Sequence, residues 1–293
     1  MEEEVYNFLQ CRNVDMKGIG VLTAQNKLKL DLVVAFGGDG LLMHANTLFD
    51  NGVPPIMCFD FGSLGFLAPF TFDEYKTEME KVLGGSALLT LRMRLHCNIV
   101  RDSVVVKSYP VLNEAVIDRG PSPFLSTIDL RCDQQYLTTV QGDGIIISTP
   151  TGSTAYSLAA GGSMVHPSVP AILLTPICAH TLSFRPLLLP DSCILTAEVP
   201  QDCRSSAWVS FDGKFRQELC KGDKLEVRMS SFPMPTINRY SQFQFSPYIN
   251  ELNPRVNFTA DWFESLRSAF MFNVRPRQKS LGRHQPRQSS PPL

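Results

Sequence analysis

Apolar and polar positions follow two different patterns along this chain. Up to about residue 90, short apolar runs alternate with segments of helical spacing. Leu32-Val33-Val34-Ala35-Phe36 is a continuous apolar run that stops at Gly37-Gly38-Asp39-Gly40. A run of that length suits a strand covered on both faces. Leu41, Leu42, Ala45 and Leu48 then recur at helical spacing, which predicts a helix over 41–49. A second strand is expected over 54–59, followed by Phe61-Gly62-Ser63-Leu64-Gly65-Phe66-Leu67. Phe72, Tyr75, Met79 and Val82 share one side of a predicted helix over 72–83, which Gly84-Gly85 ends. Strands separated by helices of this length predict a parallel sheet.

From about Leu91 the period shortens. Strands are predicted at 96–101, 111–117, 127–132, 145–148, 194–199, 207–211 and 224–227, with turn residues between them. Residues 232–257 carry four prolines and read as a loop or insertion. Trp262, Phe263, Leu266 and Phe270 then mark one face of a helix over 261–272. The expected organisation is an α/β lobe over 1–91, a β-rich lobe over 92–258 and a helix over 259–274 that packs back on the first lobe. The tail over 275–293 is basic and poor in apolar residues, and is expected to be disordered.

Composition narrows the function classes. A chain of 293 residues has room for two domains, and 44% hydrophobic against 19% charged content predicts a large core. A net charge of −1 argues against broad binding of nucleic acid or anionic membrane. No apolar run is long enough to span a bilayer. Met1-Glu2-Glu3-Glu4 is unlike a secretory or transit leader, so a cytoplasmic chain is expected. The eight cysteines stand singly without CxxC spacing, which suggests reduced thiols and no zinc site. No HExxH occurs, so no metal held by protein ligands alone is expected.

Three segments carry candidate chemistry. Strand, glycine turn and helix at 32–49 would present backbone N–H groups to a phosphate, with Asp39 in their midst. A plain turn is the alternative reading. The turn lacks the Lys-Ser/Thr end of a P-loop and the remaining glycine of the dinucleotide fingerprint. Gln141-Gly142-Asp143-Gly144 enters a strand that exits into Ser148-Thr149-Pro150-Thr151-Gly152-Ser153-Thr154-Ala155-Tyr156-Ser157. This turn either caps a short helix over 155–160, through Ser153 or Thr154, or lets a sugar or amide approach the backbone. Asn113-Glu114 interrupts an apolar strand, and such groups face either water or a ligand. Asn113 can donate and accept, and Glu114 can accept from hydroxyls.

Together these segments resemble the NAD kinase family. The family's GGDG turn, the turn at Gly62–Leu67, the Asn-Glu pair and the block from Asp143 to Tyr156 occur here in the family's order, between about Asp31 and Val227. GGDG alone is shared with lipid and sugar kinases, whereas the long block and the Asn-Glu pair are specific. The resemblance implies an N-terminal Rossmann-like α/β lobe with a β-rich C-terminal lobe, that is, an α/β plus all-β fold. It implies transfer of the γ-phosphoryl group of ATP to the 2′-hydroxyl of the adenosine ribose of NAD, with Mg2+ or another divalent cation. By resemblance Asp39 accepts the hydroxyl proton, and Gly37, Gly38 and Gly40 bring N–H groups to the ATP phosphates. Asp39, Gly40, Asn113, Glu114 and Asp143 contact NAD. Thr154, Ala155, Tyr156, Ser157 and Ala159 line its pockets, and Lys214 matches a ligand-contacting position more loosely. A homo-oligomer, dimer or tetramer, is implied in the same way.

Two features depart from the family pattern. Leu41 stands where the family has Thr after GGDG, which removes a hydroxyl from the phosphate turn. Only thirty residues precede Asp31, too few for a complete βαβ opening of roughly 30 residues or more. A non-catalytic NAD-binding or regulatory homologue is therefore the competing expectation.

Overall fold

The computed structural model describes residues 1–12, 15–62, 65–85, 87–239 and 260–270. The chain opens with α1 (Glu3–Cys11), and a 3-10 turn at Lys27–Lys29 leads into β1 (Val33–Phe36). Then follow α2 (Asp39–Thr47), β2 (Ile56–Asp60), β3 (Phe70–Thr71), α3 (Tyr75–Leu83) and β4 (Leu89–Arg92). No strand precedes β1 among the described residues.

The remainder is mostly extended. It contains β5 (Leu95–Arg101), β6 (Val104–Val111), β7 (Glu114–Asp118), β8 (Ser126–Cys132), β9 (Gln135–Gly142) and β10 (Gly144–Ser148). A 3-10 turn at Thr151–Thr154 leads into α4 (Tyr156–Ala159). Next come β11 (Ala171–Ile177), β12 (Leu187–Pro190), β13 (Leu195–Glu198), β14 (Ala207–Phe211), β15 (Lys214–Leu219), β16 (Lys224–Met229) and β17 (Met234–Ile237). Helix α5 (Ala260–Phe270) closes the described chain.

The first sheet runs β1-β2-β17-β4, with β3 also on β2. Strands β1, β3 and β17 all pair parallel to β2, but β4 pairs antiparallel to β17. The sheet is therefore mixed rather than wholly parallel. The proline-rich stretch expected to be a loop supplies β17, where all four residues are buried. Pro235 lies inside this strand, which meets β2 at Thr236 alone and β4 along all four residues. Residues 240–259, most of the expected insertion, and the tail over 275–293 lie outside the described residues.

Two six-stranded antiparallel sheets, β12-β11-β10-β7-β14-β15 and β6-β5-β16-β13-β8-β9, form the β-rich part. Alternating burial along β5, β8, β13 and β14 puts every second side chain inward. Leu95, Ile117, Ile128, Ile147, Leu174, Leu195, Val209 and Leu225 from both sheets meet in one core. Strands β6, β9, β11, β12 and β15 lay outside the sequence reading. Their alternation is broken by exposed valines, turn residues or continuous burial.

Leu112, just ahead of β7, is fully buried in the other core, among Ala35, Leu42, Ala45, Ile56 and Leu67. That contact sets the start of β7 against helix α2. Helix α5 touches both halves. Phe270 packs on Phe66, the Ser265 hydroxyl donates to the Phe66 carbonyl at 3.2 Å, and Trp262 meets His166 edge-on.

Candidate active site

Strand β1 ends at the glycine turn, where Gly37 N–H donates to the Phe59 carbonyl at 2.8 Å. Gly38 caps α2, and Asp39 is the first residue of that helix. The favourable end of the helix dipole therefore faces its carboxylate. Both oxygens are held from across the turn: Phe66 N–H donates at 2.7 Å and Leu67 N–H at 2.8 Å. The approach is so close that a Cβ on Gly65 would lie 2.1 Å from Asp39 Oδ1. Glycine at 65 is thus a requirement of the Asp39 geometry. Ser63 and Leu64 of this second turn lie outside the described residues.

A second carboxylate, Asp60, is 4% exposed and accepts from Gly62 N–H at 3.0 Å. A Cβ on Gly38 would lie 3.6 Å from its Oδ1. Burial, then the charges of Asp39 and Asp60, push the neighbouring Cys58 thiol up to about 12. Cys58 therefore stays a neutral donor, to the Gly37 carbonyl at 3.1 Å. Leu41 packs its side chain on the core and against Gly37, whose hypothetical Cβ would sit 3.1 Å from Leu41 Cδ2. Position 41 thus serves packing, in keeping with its place in the apolar series of the predicted helix.

The β-rich side is organised by Asp212. Its carboxylate accepts from Leu112 N–H at 2.9 Å, Asn113 N–H at 2.8 Å and Glu114 N–H at 3.2 Å. Its own N–H donates to the Glu114 carbonyl at 2.9 Å. Three amides converging on one carboxylate fix the corner that presents Asn113 and Glu114. Burial, reinforced by Asp212, pushes the Glu114 carboxyl up to about 7. Asp212 is itself raised to about 6 by burial, against the opposing effect of its three amides and Lys214. Asn113 Oδ1 and Glu114 Oε2 are buried without a hydrogen-bond partner. Such atoms are costly unless something donates to them.

The hydroxyl-rich turn closes on the same corner. Thr149 N–H donates to the Asn113 carbonyl at 2.9 Å, and the Thr149 hydroxyl to the Leu112 carbonyl at 2.5 Å. A Cβ on Gly152 would meet the Asn113 carbonyl oxygen at 2.2 Å. Ser153 is not a helix cap; its hydroxyl donates to the carbonyls of Pro150 and Val165, and Ala155 starts α4 without a side-chain cap. Ser157 is buried, with its hydroxyl paired to Thr175 at 2.8 Å. Thr154 and Ala155 are half-buried, whereas Tyr156 and Ala159 are exposed. Thr151 Oγ1 is a further buried atom without a partner.

Gly37, Gly38, Asp39 and Gly40 lie at the start of α2, whose Leu42 and Ala45 share a core with Leu112 beside Asn113 and Glu114; Thr149 ties the hydroxyl-rich turn before 154–159 to that corner, and Lys214 lies near Asp212. Asp143 stands apart. It lies beyond the Gly144 end of β10, paired there to Arg119 at 2.9 Å, while Glu114 pairs with Ser148 at the other end. Five strand residues separate the two ends, roughly 16 Å. Sequence reasoning passed over Asp60 and Asp212. The signal for Asp212 was a further carboxylate-glycine turn after those at Asp39 and Asp143, Phe211-Asp212-Gly213, directly after an alternating strand. Asp60 ends a run that is otherwise apolar, where a buried carboxylate must be held by the turn that follows.

A glycine-turn α/β lobe with a fixed carboxylate, packed through Leu112 on an antiparallel sandwich, defines a two-lobed nucleotide-binding protein. The ATP-NAD kinase N-terminal domain matches residues 3–87, and the ATP-NAD kinase C-terminal domain matches residues 112–239. The chain belongs to the ATP-NAD kinase family. It is 48% identical over 260 residues to NAD kinase 2, chloroplastic, of Arabidopsis thaliana, covering 86% of this chain and 25% of that protein. It thus spans a quarter of the length of that relative. The crystal structure of yeast NADH kinase complexed with NADH superimposes with a TM-score of 0.75 at 35% identity, covering 85% of this chain and 68% of that one. An NAD kinase from Archaeoglobus fulgidus in complex with ATP shares the fold, with a TM-score of 0.66 at 20% identity, covering 91% and 96%.

Proposed function

We propose that this chain phosphorylates NAD at the 2′-hydroxyl of its adenosine ribose, with ATP as donor, to give NADP. The observation that carries this reading is the Asp39 carboxylate. It is fixed through both oxygens by the amides of Phe66 and Leu67 at the glycine turn, and the helix it starts packs on Leu112, beside Asn113 and Glu114. In this reading the ribose 2′-oxygen attacks the γ-phosphorus, the bond to the β–γ bridging oxygen breaks, and ADP leaves. Asp39 takes the hydroxyl proton. Two bonded amides leave each of its oxygens a further lone pair for that proton. Gly37, Gly38 and Gly40 let the phosphates approach the backbone and the start of α2. Phosphoryl transfer needs alignment and charge stabilisation above all, which suits a site of fixed groups.

Asn113 and Glu114 hold NAD through the acceptors that have no protein partner. Thr154, Ala155, Tyr156, Ser157 and Ala159 line its pocket, with the Ser157 hydroxyl already engaged by Thr175. Lys214, exposed beside the Asp212 turn, contacts the ligand in this reading. Asp143 lies at the far end of β10 from Glu114; in this reading it contacts NAD from a second copy of the chain, in a homo-oligomer. Among the described residues no group of three or more His, Cys, Asp or Glu forms a metal cage. Asp39 and Asp60 fit Mg2+ in the manner usual for nucleotide enzymes, one or two carboxylates with the substrate phosphates supplying the rest. When bound, Mg2+ would neutralise charge developing on the phosphates.

NADP formation from NAD, ATP and Mg2+, coupled to an NADP-specific dehydrogenase, tests the reading. Clear turnover is expected. Asp39→Asn should keep NAD binding by calorimetry and lose roughly 10²–10⁴-fold in kcat. Turnover of that variant within a few-fold of the parent would overturn the role of Asp39. NAD binding with no turnover by the parent would overturn the kinase reading.

A further inference from the structure

Arg94 is the largest fully buried side chain of the described structure, with no exposed surface. It sits where the chain crosses between lobes, in the link from β4 to β5. The return crossing, between β16 and β17, lies beside it: Ser230 N–H donates to the Arg94 carbonyl at 2.8 Å, and Arg94 Nε donates to the Phe232 carbonyl at 2.7 Å. The rest of the guanidinium faces the other way. Nη1 donates to the Phe49 carbonyl at 2.8 Å and to Asn46 Oδ1 at 3.2 Å. Nη2 donates to the Asn51 carbonyl at 2.8 Å and lies 3.5 Å from that of Asp50. Residues 46–51 are the C-terminal end of α2 and the loop that leaves it.

A cation there complements the negative end of the α2 dipole. The planar guanidinium joins three segments at once, which a lysine ammonium cannot do. Burial lowers the guanidinium's pKa and nearby Asp50 opposes this.

The structure assigns to Arg94 the role of a positioning residue: it clamps the C-terminal end of α2 to both lobe crossings and so sets where Asp39, at the other end of that helix, meets the Asn113–Glu114 corner. The lever is short. Nine residues at about 1.5 Å each make a helix about 13 Å long, so a tilt of about 5° moves Asp39 by about 1 Å. A misplacement of that size can cost roughly 10²-fold in rate. The inference rests on the proposed kinase reading for its kinetic readout, and has a second readout that does not.

Arg94→Lys, assayed at saturating NAD and ATP well below its melting temperature, should lose roughly 10²-fold in kcat. Its KM for NAD should stay within about threefold, because the NAD-side corner is built on Asp212 and is untouched. A kcat within a few-fold of the parent, or a loss confined to KM, would overturn the proposal. A purely structural role would lower the melting temperature and leave the kcat of the folded protein unchanged. If Arg94→Lys does not fold, Asn46→Ala, which removes one partner of the clamp, should lower kcat in the same direction; an unchanged kcat overturns the proposal. Native-state hydrogen exchange decides the matter even if the parent makes no NADP. The Phe66 and Leu67 amides, which bind Asp39, should exchange faster in the variant while core amides of β5 and β16 do not. Unchanged exchange at Phe66 and Leu67 would also overturn it.

Discussion

The α/β side and the sandwich side differ in how completely their polar groups are satisfied. On the α/β side, Asp39 has both oxygens paired to backbone amides, and Asp60 is held by Gly62 N–H. On the sandwich side, Asp212 is satisfied by three amides, but Asn113 Oδ1, Glu114 Oε2 and Thr151 Oγ1 are buried without partners. A group that must act in a reaction benefits from being fixed before the substrate arrives, because reorganisation then adds nothing to the barrier. A group that must recognise a substrate gains most when its hydrogen bonds are still open. Then the ligand relieves a cost already present in the free protein. On the proposed reading the α/β side supplies the chemistry and the sandwich the binding. Changes on the first side should reach kcat, and changes on the second KM.

The strongest way to break that contrast is to disturb the fixed side without touching a charge. Gly65→Ala adds one methyl group that would sit 2.1 Å from Asp39 Oδ1 and 2.8 Å from its Cγ. The carboxylate has to move, or the turn carrying Phe66 and Leu67 does. A fall in kcat of roughly 10²-fold is expected, with NAD affinity unchanged by calorimetry. An alanine variant with parental kcat would show that the amide grip on Asp39 is dispensable. A rise in KM for NAD alone would reverse the division of labour.

A smaller effect, and one that changes with pH, is expected on the recognition side. The Glu114 carboxyl is raised from 4.5 to about 7, first by burial and then by Asp212. In the folded chain it binds a proton that the unfolded chain has released. Its contribution to stability is therefore present below pH ~4.5 and is lost as pH rises through about 7. Glu114→Gln removes the ionisation and relieves Asp212. It should melt with the parent near pH 5 and above it at pH 8, by the equivalent of about 1–3 kcal/mol. The same variant should raise KM for NAD roughly tenfold, because a carboxylate accepts hydroxyl protons better than an amide does. Melting curves at the two pH values check the first claim. A Tm difference that does not change with pH would remove Glu114 from the buried pair.

The sequence made the site's parts legible more readily than its assembly. Val33–Phe36 and the glycine turn stood out because both signals are local: an apolar run and residues that relax φ. Asn113-Glu114 stood out because polar groups break an apolar strand. What holds these parts is not local. Asp212 grips residues about a hundred positions earlier, and the Phe66 and Leu67 amides reach back to Asp39. Hydrogen bonds between distant backbone and side-chain groups leave no periodicity to read. Strand β17 was hidden for a similar reason. Met234-Pro235-Thr236-Ile237 is buried through pairing with β2 and β4, and nothing in its composition marks it as a sheet strand. Asp143 is the opposite case. It was found by motif, and the topology sets it at the far end of its strand from the residues it was grouped with.

The smallest expected effect decides to which side of the contrast position 41 belongs. Leu41 occupies a place where the family has a hydroxyl, yet its side chain packs on the cluster containing Ala35, Leu42, Ala45 and Leu67. Threonine there removes buried apolar surface and places a β-branched residue in the first turn of α2, a loss of about 1–2 kcal/mol in stability. The leucine points into packing rather than toward the turn's open side, where Gly40 has nothing within 4 Å. Leu41→Thr should therefore lower the melting temperature and leave KM for ATP within about twofold, well under the roughly tenfold that a hydrogen bond to a charged phosphate oxygen is worth. A several-fold fall in KM for ATP would make position 41 part of the phosphate turn. It would also show that the fixed side keeps one recognition contact open that leucine leaves unfilled.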